Sequence, residues 1–469
     1  MVRYCCSGIA GEPTTQVIEV EAGDDAIILE LQRTLKIPVH YATTNKKLSY
    51  LNRLTARLTY AVRLWCERIS ELGLKSRQDC SPYEHEIQRI TGLSAAFVQQ
   101  ARDKALWMWA QYREAHKEWE RELSRAKLGT KWYKKLLKRE PAEPCTSPRS
   151  NLKKIPTRFD ARTGTIEESN LKMSPLVVRV STLKKGEKIT VLLNPSKWHL
   201  NMLRSAAELR GFELVKRGKK YFVHLLCKYF VRAQPVHAVR GVDLGVNRVV
   251  ASVKLPKHPR NFSLLRCDDK WLRIRELNDR VSHLRRLKKW RALKKLRHKR
   301  RNIAKDYDRK LAKEFAACAE NELVVIGDPQ LIRYHKYRGD GDKRGRKILQ
   351  NWSYSRLADG IIEKLKERGI IGIRFNEWGT SSECHKCGGK LKAKGRRVVC
   401  TECGMQYDRE FNSCVRVVQK ASTYLKHKTR AALKRSRKLA GAIDELARTI
   451  GDSGLEPWMR MEAHLLVGE

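Results

Sequence analysis

Two Cys-x-x-Cys pairs constrain the fold of this chain more than any other feature of its sequence. The pairs are Cys384/Cys387 and Cys400/Cys403, and twelve residues separate them. Each pair predicts a turn that directs two thiolates at one ion, and two such turns supply the closed tetrahedral shell typical of structural zinc. An alternative is a pair of reactive dithiols. Because four sulfur ligands leave no open coordination position, catalysis would require other residues.

The net charge indicates a polyanionic partner. The chain has 98 Lys and Arg residues against 51 Asp and Glu residues, a formal charge of +47 over 469 residues. Self-repulsion on this scale destabilises a compact fold unless a polyanion compensates it. Nucleic acid is the first candidate and an acidic membrane surface is the second. The sequence shows neither a run of about 18 apolar residues nor a secretory signal, and most cysteines are scattered singly, so we expect a reduced, intracellular protein.

Hydrophobic periodicity divides the chain into segments. A helical period begins at about residue 44. A second helical region, from about residue 94 to 139, interleaves aromatic with basic residues; the aromatic rings could stack on bases or pack helix against helix. A Pro- and Ser-rich linker follows, and the period then falls to two, which predicts β-hairpins to about residue 231. From residue 240 onward we expect three strands, a long charged helical stretch, a strand, a helix and a strand. An RNase H-like domain is one of several mixed α/β folds with this order.

The stretch Leu284–Arg301 is the most basic part of that helical segment. In a single helix its cations would lie on nearly every face, and without a ligand such a helix would repel itself. We therefore expect it to bind phosphate groups. The candidate contacts are Arg285, Arg286, Lys288, Lys289, Arg291, Lys294, Lys295 and Arg297.

Asp243 is the first candidate for a catalytic carboxylate. It lies in RGVDLGVNRVV, in an apolar strand that leads into a Gly-containing turn. A carboxylate in such a place is costly unless it is paired with a cation, and a divalent metal is one solution. A strand-end Asp can also simply cap a turn.

Four stretches of the C-terminal half are GVDLGVNRVV, VVIGD, NEWGTSSECHKCGG and CTECGMQYDREFNS, which together span about residues 240–420. In order and spacing they resemble the RuvC nuclease domain of the TnpB family and of the related, miniature type V CRISPR effectors. The resemblance implies an α+β multidomain protein, in which an N-terminal β-barrel wedge with an inserted helical recognition lobe precedes an RNase H-like (RuvC) domain with an inserted four-cysteine zinc ribbon. The implied bounds are 1–43 and 148–236 for the wedge, 44–147 for the lobe, 237–383 and 404–469 for the RuvC domain with its basic tail, and 384–403 for the zinc segment.

The resemblance also implies three carboxylates that bind two catalytic magnesium ions. Asp243 takes the place of the first. Gly327 stands where a Glu is usual for the second, but one branch of the family has Gly there and a relocated Glu before the zinc motif. In this chain that Glu is Glu377, with Thr380 and Ser381 in register. Alternatively, Glu377 merely ends a strand.

Glu410 stands in the place of the third carboxylate, which is usually an Asp. The extra methylene moves the carboxylate by about a bond length, and metal-assisted displacement is sensitive to such shifts. Asp408 could serve instead. The resemblance implies that Arg409 lies close to the scissile phosphate, although an Arg here could equally pair with a carboxylate.

The function implied by the resemblance is RNA-guided DNA cleavage. A guide RNA pairs with target DNA next to a short duplex motif, the protein holds the heteroduplex by its backbone, and the magnesium-dependent RuvC site hydrolyses phosphodiester bonds. The substitutions at the second and third carboxylates leave open an RNA-guided DNA-binding protein that represses or marks its target without cutting. A third alternative is a ribosome- or RNA-associated protein with a zinc ribbon. For the guided functions we expect a prokaryotic cytoplasmic location, at the nucleoid when on target.

Overall fold

The computed structural model describes residues 3–4, 28–144, 155–329, 349 and 351–432, except for 185, 219, 247, 256–261 and 378. It is a mixed α/β protein with two compact units, and residues 32–229 belong to the first and residues 230–432 to the second. Among the helices in this part of the chain, none combines the length and the apolar character needed to cross a membrane.

The first unit has a helical group that is packed through buried aromatic side chains. Trp65 and Trp109 are buried, and their indole N–H groups donate to Val98 O at 3.1 Å and Cys66 O at 3.2 Å. These rings therefore pack helix against helix, whereas Trp107 is 52% exposed. The helices are α1 (Asn45–Leu72), α2 (Arg77–Cys80), α3 (Glu84–Thr91), α4 (Ala95–Ser124) and α5 (Lys131–Leu137).

The chain also forms two four-stranded sheets, with the strand orders β1-β4-β5-β6 and β2-β8-β7-β3. Apolar and polar residues alternate along their strands, which buries one face of each strand. Closure of the two sheets into a barrel stays a prediction. The elements are β1 (Arg3–Tyr4), β2 (Ile28–Pro38), β3 (Thr157–Phe159), β4 (Gly164–Leu171), β5 (Ser174–Ser181), β6 (Lys188–Leu192), α6 (Lys197–Arg204), β7 (Glu208–Arg217) and β8 (Lys220–Arg232).

A five-stranded sheet forms the centre of the second unit, in the order β11-β10-β9-β12-β13. The strands β9, β10 and β11 are antiparallel neighbours, and β12 lies parallel between β9 and β13. All seven residues of β12 are buried, as expected for a central parallel strand. The strands are β9 (Ala238–Asp243), β10 (Arg248–Leu255), β11 (Phe262–Arg266), β12 (Glu322–Asp328) and β13 (Gly372–Asn376).

Helices cover both faces of this sheet. Leu311 and Ile361 belong to the core on one face, and Val415 and Val418 belong to the core on the other. A Cβ at Gly241 would lie 2.0 Å from the carbonyl oxygen of Cys414, so glycine there permits the close approach of helix and strand. The helices are α7 (Asp268–Arg286), α8 (Trp290–Leu296), α9 (Lys299–Ala317), α10 (Tyr354–Lys366) and α11 (Arg409–Ala432).

The basic segment Leu284–Arg301 differs from the single helix predicted by its sequence. It contains the end of α7, all of α8 and the start of α9, and Lys288 has a left-handed φ of 51° between the first two. Since α8 buries none of its residues, little packing energy holds the segment in one helix. Like charges on successive turns also repel each other. Both effects favour a break.

Candidate functional site

The four predicted metal-binding cysteines lie together on a small three-stranded sheet. Its strands are β14 (Leu391–Lys394), β15 (Arg397–Cys400) and β16 (Gln406–Asp408). The Sγ atoms of Cys384 and Cys403 are 3.8 Å apart, those of Cys387 and Cys400 are 3.4 Å apart, and all four lie within 4.8 Å of one another. Tetrahedral Zn–S bonds of about 2.3 Å separate the sulfurs by about 3.8 Å. The cluster could therefore hold a zinc ion.

The side chains around the cluster orient its ligands. The Tyr407 hydroxyl donates to Cys384 Sγ at 2.7 Å, the kind of contact that orients a metal ligand. His385 is buried, and its backbone N–H donates to Asn412 Oδ1 at 2.9 Å, with the ring Nδ1 at 3.1 Å from the same oxygen. Burial lowers the pKa of His385 to about 4, so its imidazole is neutral at pH 7. His385 thus packs beneath the cluster.

Asn412 connects the cysteine cluster to the carboxylates. It is fully buried at the start of α11, and its Nδ2 donates to Thr380 O and to Glu383 O, both at 2.9 Å. Thr380 in turn donates from its backbone N–H and its hydroxyl to Glu377 O, at 3.1 and 2.9 Å. Folding of the cysteine segment therefore positions the backbone that carries Glu377.

Asp243 lies at the end of β9, opposite Ala251 of β10. Burial and the negative charges of Glu410 and Asp408 raise its pKa to about 6, although Arg409 and the backbone N–H of Leu244 act in the opposite direction. A cation would relieve this crowding of negative charge. The environment of Asp243 thus fits a metal ligand better than a simple turn cap.

Glu377 follows β13, and its side chain lies over Gly327. A Cβ at Gly327 would be 2.9 Å from Glu377 Oε2 and 3.3 Å from Glu377 Cβ. The carbonyl oxygen of Val242, the residue before Asp243, is also 3.3 Å from that point. The carboxylate of Glu377 therefore fills the space that a side chain at position 327 would enter, next to the end of β9.

A guanidinium joins the remaining two carboxylates. Arg248 Nη1 donates to Asp408 Oδ2 at 2.6 Å and to Glu410 Oε2. Arg396 Nη1 donates to Glu410 Oε1 at 3.3 Å, and the Glu410 backbone N–H donates to Asp408 Oδ1 at 2.8 Å. The sequence reasoning missed Arg248. The short turn between antiparallel β9 and β10 was the signal that could have found it, because the first residue of β10 must lie near the last residue of β9.

The carboxylates are more widely spaced than the cysteines. Within the described ranges, the four cysteines are the one group of three or more His, Cys, Asp or Glu residues whose ligand atoms all lie within 4.8 Å of one another. Asp243, Glu377 and Glu410 do not meet that limit. Two catalytic ions lie about 3.5–4 Å apart and take ligands from both sides, and carboxylate oxygens are the ligands that Mg²⁺ takes. The chemistry of these residues therefore fits Mg²⁺, whereas their spacing does not form one compact site.

The cations of the basic segment are exposed. Each of its eight candidate phosphate contacts, named above, is exposed, and so are Trp290 and Leu287 beside them. No acidic residue occurs between Asp279 and Asp306 in the sequence. Arg409 is also exposed, and its charge acts on Asp243. The arrangement leaves these cations available to phosphates.

A buried ion pair joins the helices that carry the two ends of this segment. Lys270 Nζ of α7 donates to Asp308 Oδ1 of α9 at 2.7 Å, and both side chains are buried. Asp308 Oδ2 also accepts from Ser353 Oγ at 2.6 Å and from Arg356 Nε at 2.8 Å. The contacts join the two long basic helices to α10, and no sequence pattern indicated them.

Comparison with known proteins finds similarity in the part of the chain that carries the cysteines. Residues 354–417, which include all four cysteines, match the family model of the Cas12f1-like TNB domain. A TnpB-like protein of Methanocaldococcus jannaschii, MJ1635, is 28% identical over 156 residues, which are 32% of this chain and 35% of that protein. Over these stretches the chain is similar to TnpB proteins and to miniature type V CRISPR effectors.

Two further proteins are similar to this chain over shorter stretches. The CRISPR-associated endodeoxyribonuclease Cas12f1 of Syntrophomonas palmitatica is 36% identical over 76 residues, 16% of this chain and 15% of that one. The CRISPR-associated DNA-binding protein Cas12m of Allomeiothermus silvanus is 29% identical over 122 residues, 25% of this chain and 21% of that one. The chain thus spans about a third or less of the length of these three relatives.

Proposed function

We propose that this protein is an RNA-guided DNA endonuclease with a magnesium-dependent site of the RuvC type. Its metal-binding carboxylates are Asp243, Glu377 and Glu410, with Asp408 beside the last. The observation that carries the proposal is the position of Glu377, whose carboxylate fills the space over Gly327 next to the end of β9. A carboxylate missing from one strand is thereby supplied from its neighbour.

The architecture of the second unit supports this proposal. The order β11-β10-β9-β12-β13, with three antiparallel strands followed by two parallel ones, is the one expected for an RNase H-like domain. The four cysteines hold a structural zinc ion that fixes the segment between Glu377 and Glu410. Guide RNA and target DNA are the proposed partners, and the net charge of +47 suits the phosphates of both. The helical lobe and sheets of the first unit, the proposed wedge and recognition lobe, would read the short duplex motif.

Each residue of the site has a defined task in this chemistry. Bound magnesium would supply an activated water and charge stabilisation at the leaving oxygen. Asp243 and Glu377 would hold the ions, and Thr380 fixes the backbone of Glu377 through two hydrogen bonds. Arg409 is exposed and its charge acts on Asp243, so it would be available to the scissile phosphate.

A second candidate function is RNA-guided DNA binding without cleavage. Arg248 favours it, because its guanidinium already neutralises Asp408 and Glu410, the carboxylates of the third position. In that case the chain would hold its target and leave the DNA strands intact.

Purification of the full chain with its co-expressed RNA separates these functions. Sequencing of that RNA gives the guide, and a matched target flanked by randomised bases gives the duplex motif. We expect cleavage in Mg²⁺ that EDTA abolishes, and we expect Asp243→Ala to lose cleavage while it retains binding. Target binding by the wild type without any nick would establish the non-cutting function. The absence of any specific co-purifying RNA would contradict both.

A further inference from the structure

We infer that Arg248 is the resident cation of the Asp408/Glu410 half of the carboxylate site, and that a divalent ion has to displace its guanidinium to bind there. The inference rests on the proposed function, because it takes these carboxylates as metal ligands. It adds that Arg248 limits the number of divalent ions that the site binds.

The contacts of Asp408 and Glu410 are the first observation. All four of their carboxylate oxygens accept a hydrogen bond: two from Arg248, one from Arg396 and one from the backbone N–H of Glu410. A metal ion at these oxygens would compete with donors that are already in place. Charge-assisted bonds from a guanidinium to two carboxylates are strong ones.

The burial of Arg248 is the second observation. Its side chain is 13% exposed and those of Asp408 and Glu410 are each 22% exposed, whereas the side chain of Arg396 is 51% exposed. Arg248 begins β10, directly after the turn that follows Asp243, so the strand fixes the root of its side chain. Water competes poorly for a charge held in this way. Arg248, and not Arg396, therefore controls access to these oxygens.

The two halves of the site should accordingly fill in sequence. No hydrogen bond or ion pair between Asp243 and a guanidinium occurs among the contacts of the site described above, and Arg409, whose charge acts on Asp243, is exposed. At the other half the guanidinium needs a new acceptor before it leaves. A DNA phosphate is such an acceptor, since guanidinium groups match phosphates in bidentate geometry. The second ion thus enters together with the DNA strand.

The test is a calorimetric titration of the zinc-loaded full chain with Mn²⁺ alone, without nucleic acid. We expect the wild type to bind one Mn²⁺ tightly, and we expect Asp243→Asn to abolish that event. Arg248→Gln should bind a second Mn²⁺ more tightly than the wild type by about tenfold or more, because the competing positive charge at these oxygens is gone. Arg396→Gln is the matched control, because it also removes a donor to Glu410, and it should change Mn²⁺ affinity by less than about twofold.

Two results would overturn the inference: a wild type that binds two Mn²⁺ ions with equal affinity, or an Arg248→Gln variant that binds Mn²⁺ as the wild type does. The first needs no variant, so the inference stays testable if Arg248→Gln does not fold. Thermal unfolding provides a second readout, in which Mn²⁺ should raise the midpoint of Arg248→Gln more than that of the wild type. If Mn²⁺ binds as expected but no target is ever cut, the proposed nuclease fails and the role of Arg248 stands. If the target is cut and Arg248→Gln leaves Mn²⁺ binding unchanged, the role of Arg248 alone fails.

Discussion

The cysteine cluster and the carboxylate site lie in the same unit, and they are built in opposite ways. The cysteines come from residues 384–403, a single short stretch, and their sulfurs lie within 4.8 Å of one another. The carboxylates come from residues 243, 377, 408 and 410, and the sheet and α11 bring them together. In the cluster like groups converge on one point, whereas in the carboxylate site a guanidinium bridges two of the ligands, Asp408 and Glu410.

This difference shows what each metal site is suited to do. A closed shell of four thiolates would hold its ion tightly and stabilise the fold. In the carboxylate site, burial and neighbouring charge raise the pKa of Asp243, and a divalent ion would relieve that crowding of charge. Under the proposed function the first site is structural and the second is catalytic.

Loss of one thiolate should have the largest effect. Structural zinc sites contribute about 10–16 kcal/mol of apparent binding free energy in zinc-finger peptides, so Cys400→Ser should lose nearly all of its zinc and loosen the segment ahead of Glu410. Elemental analysis per chain measures this. Cys318→Ser, an exposed thiol outside the cluster, is the control and should retain its zinc. Unaltered zinc content in Cys400→Ser would show that the four cysteines do not form the site.

Removal of the relocated carboxylate should come next. Glu377→Gln should lower the cleavage rate by about 10³-fold, with target binding and the unfolding midpoint nearly unchanged, because the amide keeps the shape of the side chain. Asp328→Asn is the matched control. Asp328 ends the neighbouring strand β12 and pairs with Arg374 at 2.8 Å, so its variant should cut normally. A fully active Glu377→Gln protein would show that Glu377 merely ends a strand.

The substitution Gly327→Ala tests the contact between position 327 and the carboxylate of Glu377. Gly327→Ala places a Cβ 2.9 Å from Glu377 Oε2, so the carboxylate must shift. We expect cleavage to fall by about 10- to 100-fold, because a displacement of about 1 Å at reacting groups can have that effect. In the control Gly360→Ala, on α10, the new Cβ meets Ala312 Cβ at an ordinary 3.5 Å. Equal cleavage rates for both alanine variants would show that the position of the Glu377 carboxylate does not affect cleavage.

The smallest effect concerns stability without metal. The pKa of Asp243 is about 6 in the folded protein and 3.8 as its ordinary value. Since the folded state holds the proton more tightly, stability falls as pH rises from about 4 to 6 and stays lower above. In EDTA at pH 8, Asp243→Asn should therefore be more stable than the wild type by about 2 kcal/mol, and at pH 3.5 the two should be nearly equal. Denaturant unfolding at both pH values measures the difference in free energy of unfolding. A variant less stable than the wild type at pH 8 would contradict the raised pKa of Asp243.

Local patterns in the sequence predicted the parts of the molecule that depend on neighbouring residues. The spacing of the cysteines determines their cluster, and hydrophobic periodicity predicted the order of strands and helices in the second unit. These features depend on turn geometry and hydrophobic periodicity, which short stretches of sequence encode. The candidate role of Glu377 opposite Gly327 came from the resemblance and not from a local pattern.

Contacts between distant residues were not predictable in this way. Arg248 and Glu410 are 162 positions apart, and the pairing becomes visible only when β10 and α11 pack together. The same holds for the buried pair Lys270 and Asp308. The basic helix breaks at Lys288 because the segment buries little apolar surface. A charge pattern alone does not predict burial.

The most direct test of the shared role of Asp243 and Glu377 is a crystal of the zinc-loaded protein soaked in Mn²⁺ and measured for anomalous scattering. The signal at the four cysteines serves as the internal reference. We expect a Mn²⁺ peak within about 2.2 Å of a carboxylate oxygen of Asp243 and of one from Glu377. A peak bound to Asp243 with Glu377 turned away from it, or no peak at the end of β9, would contradict the proposed site.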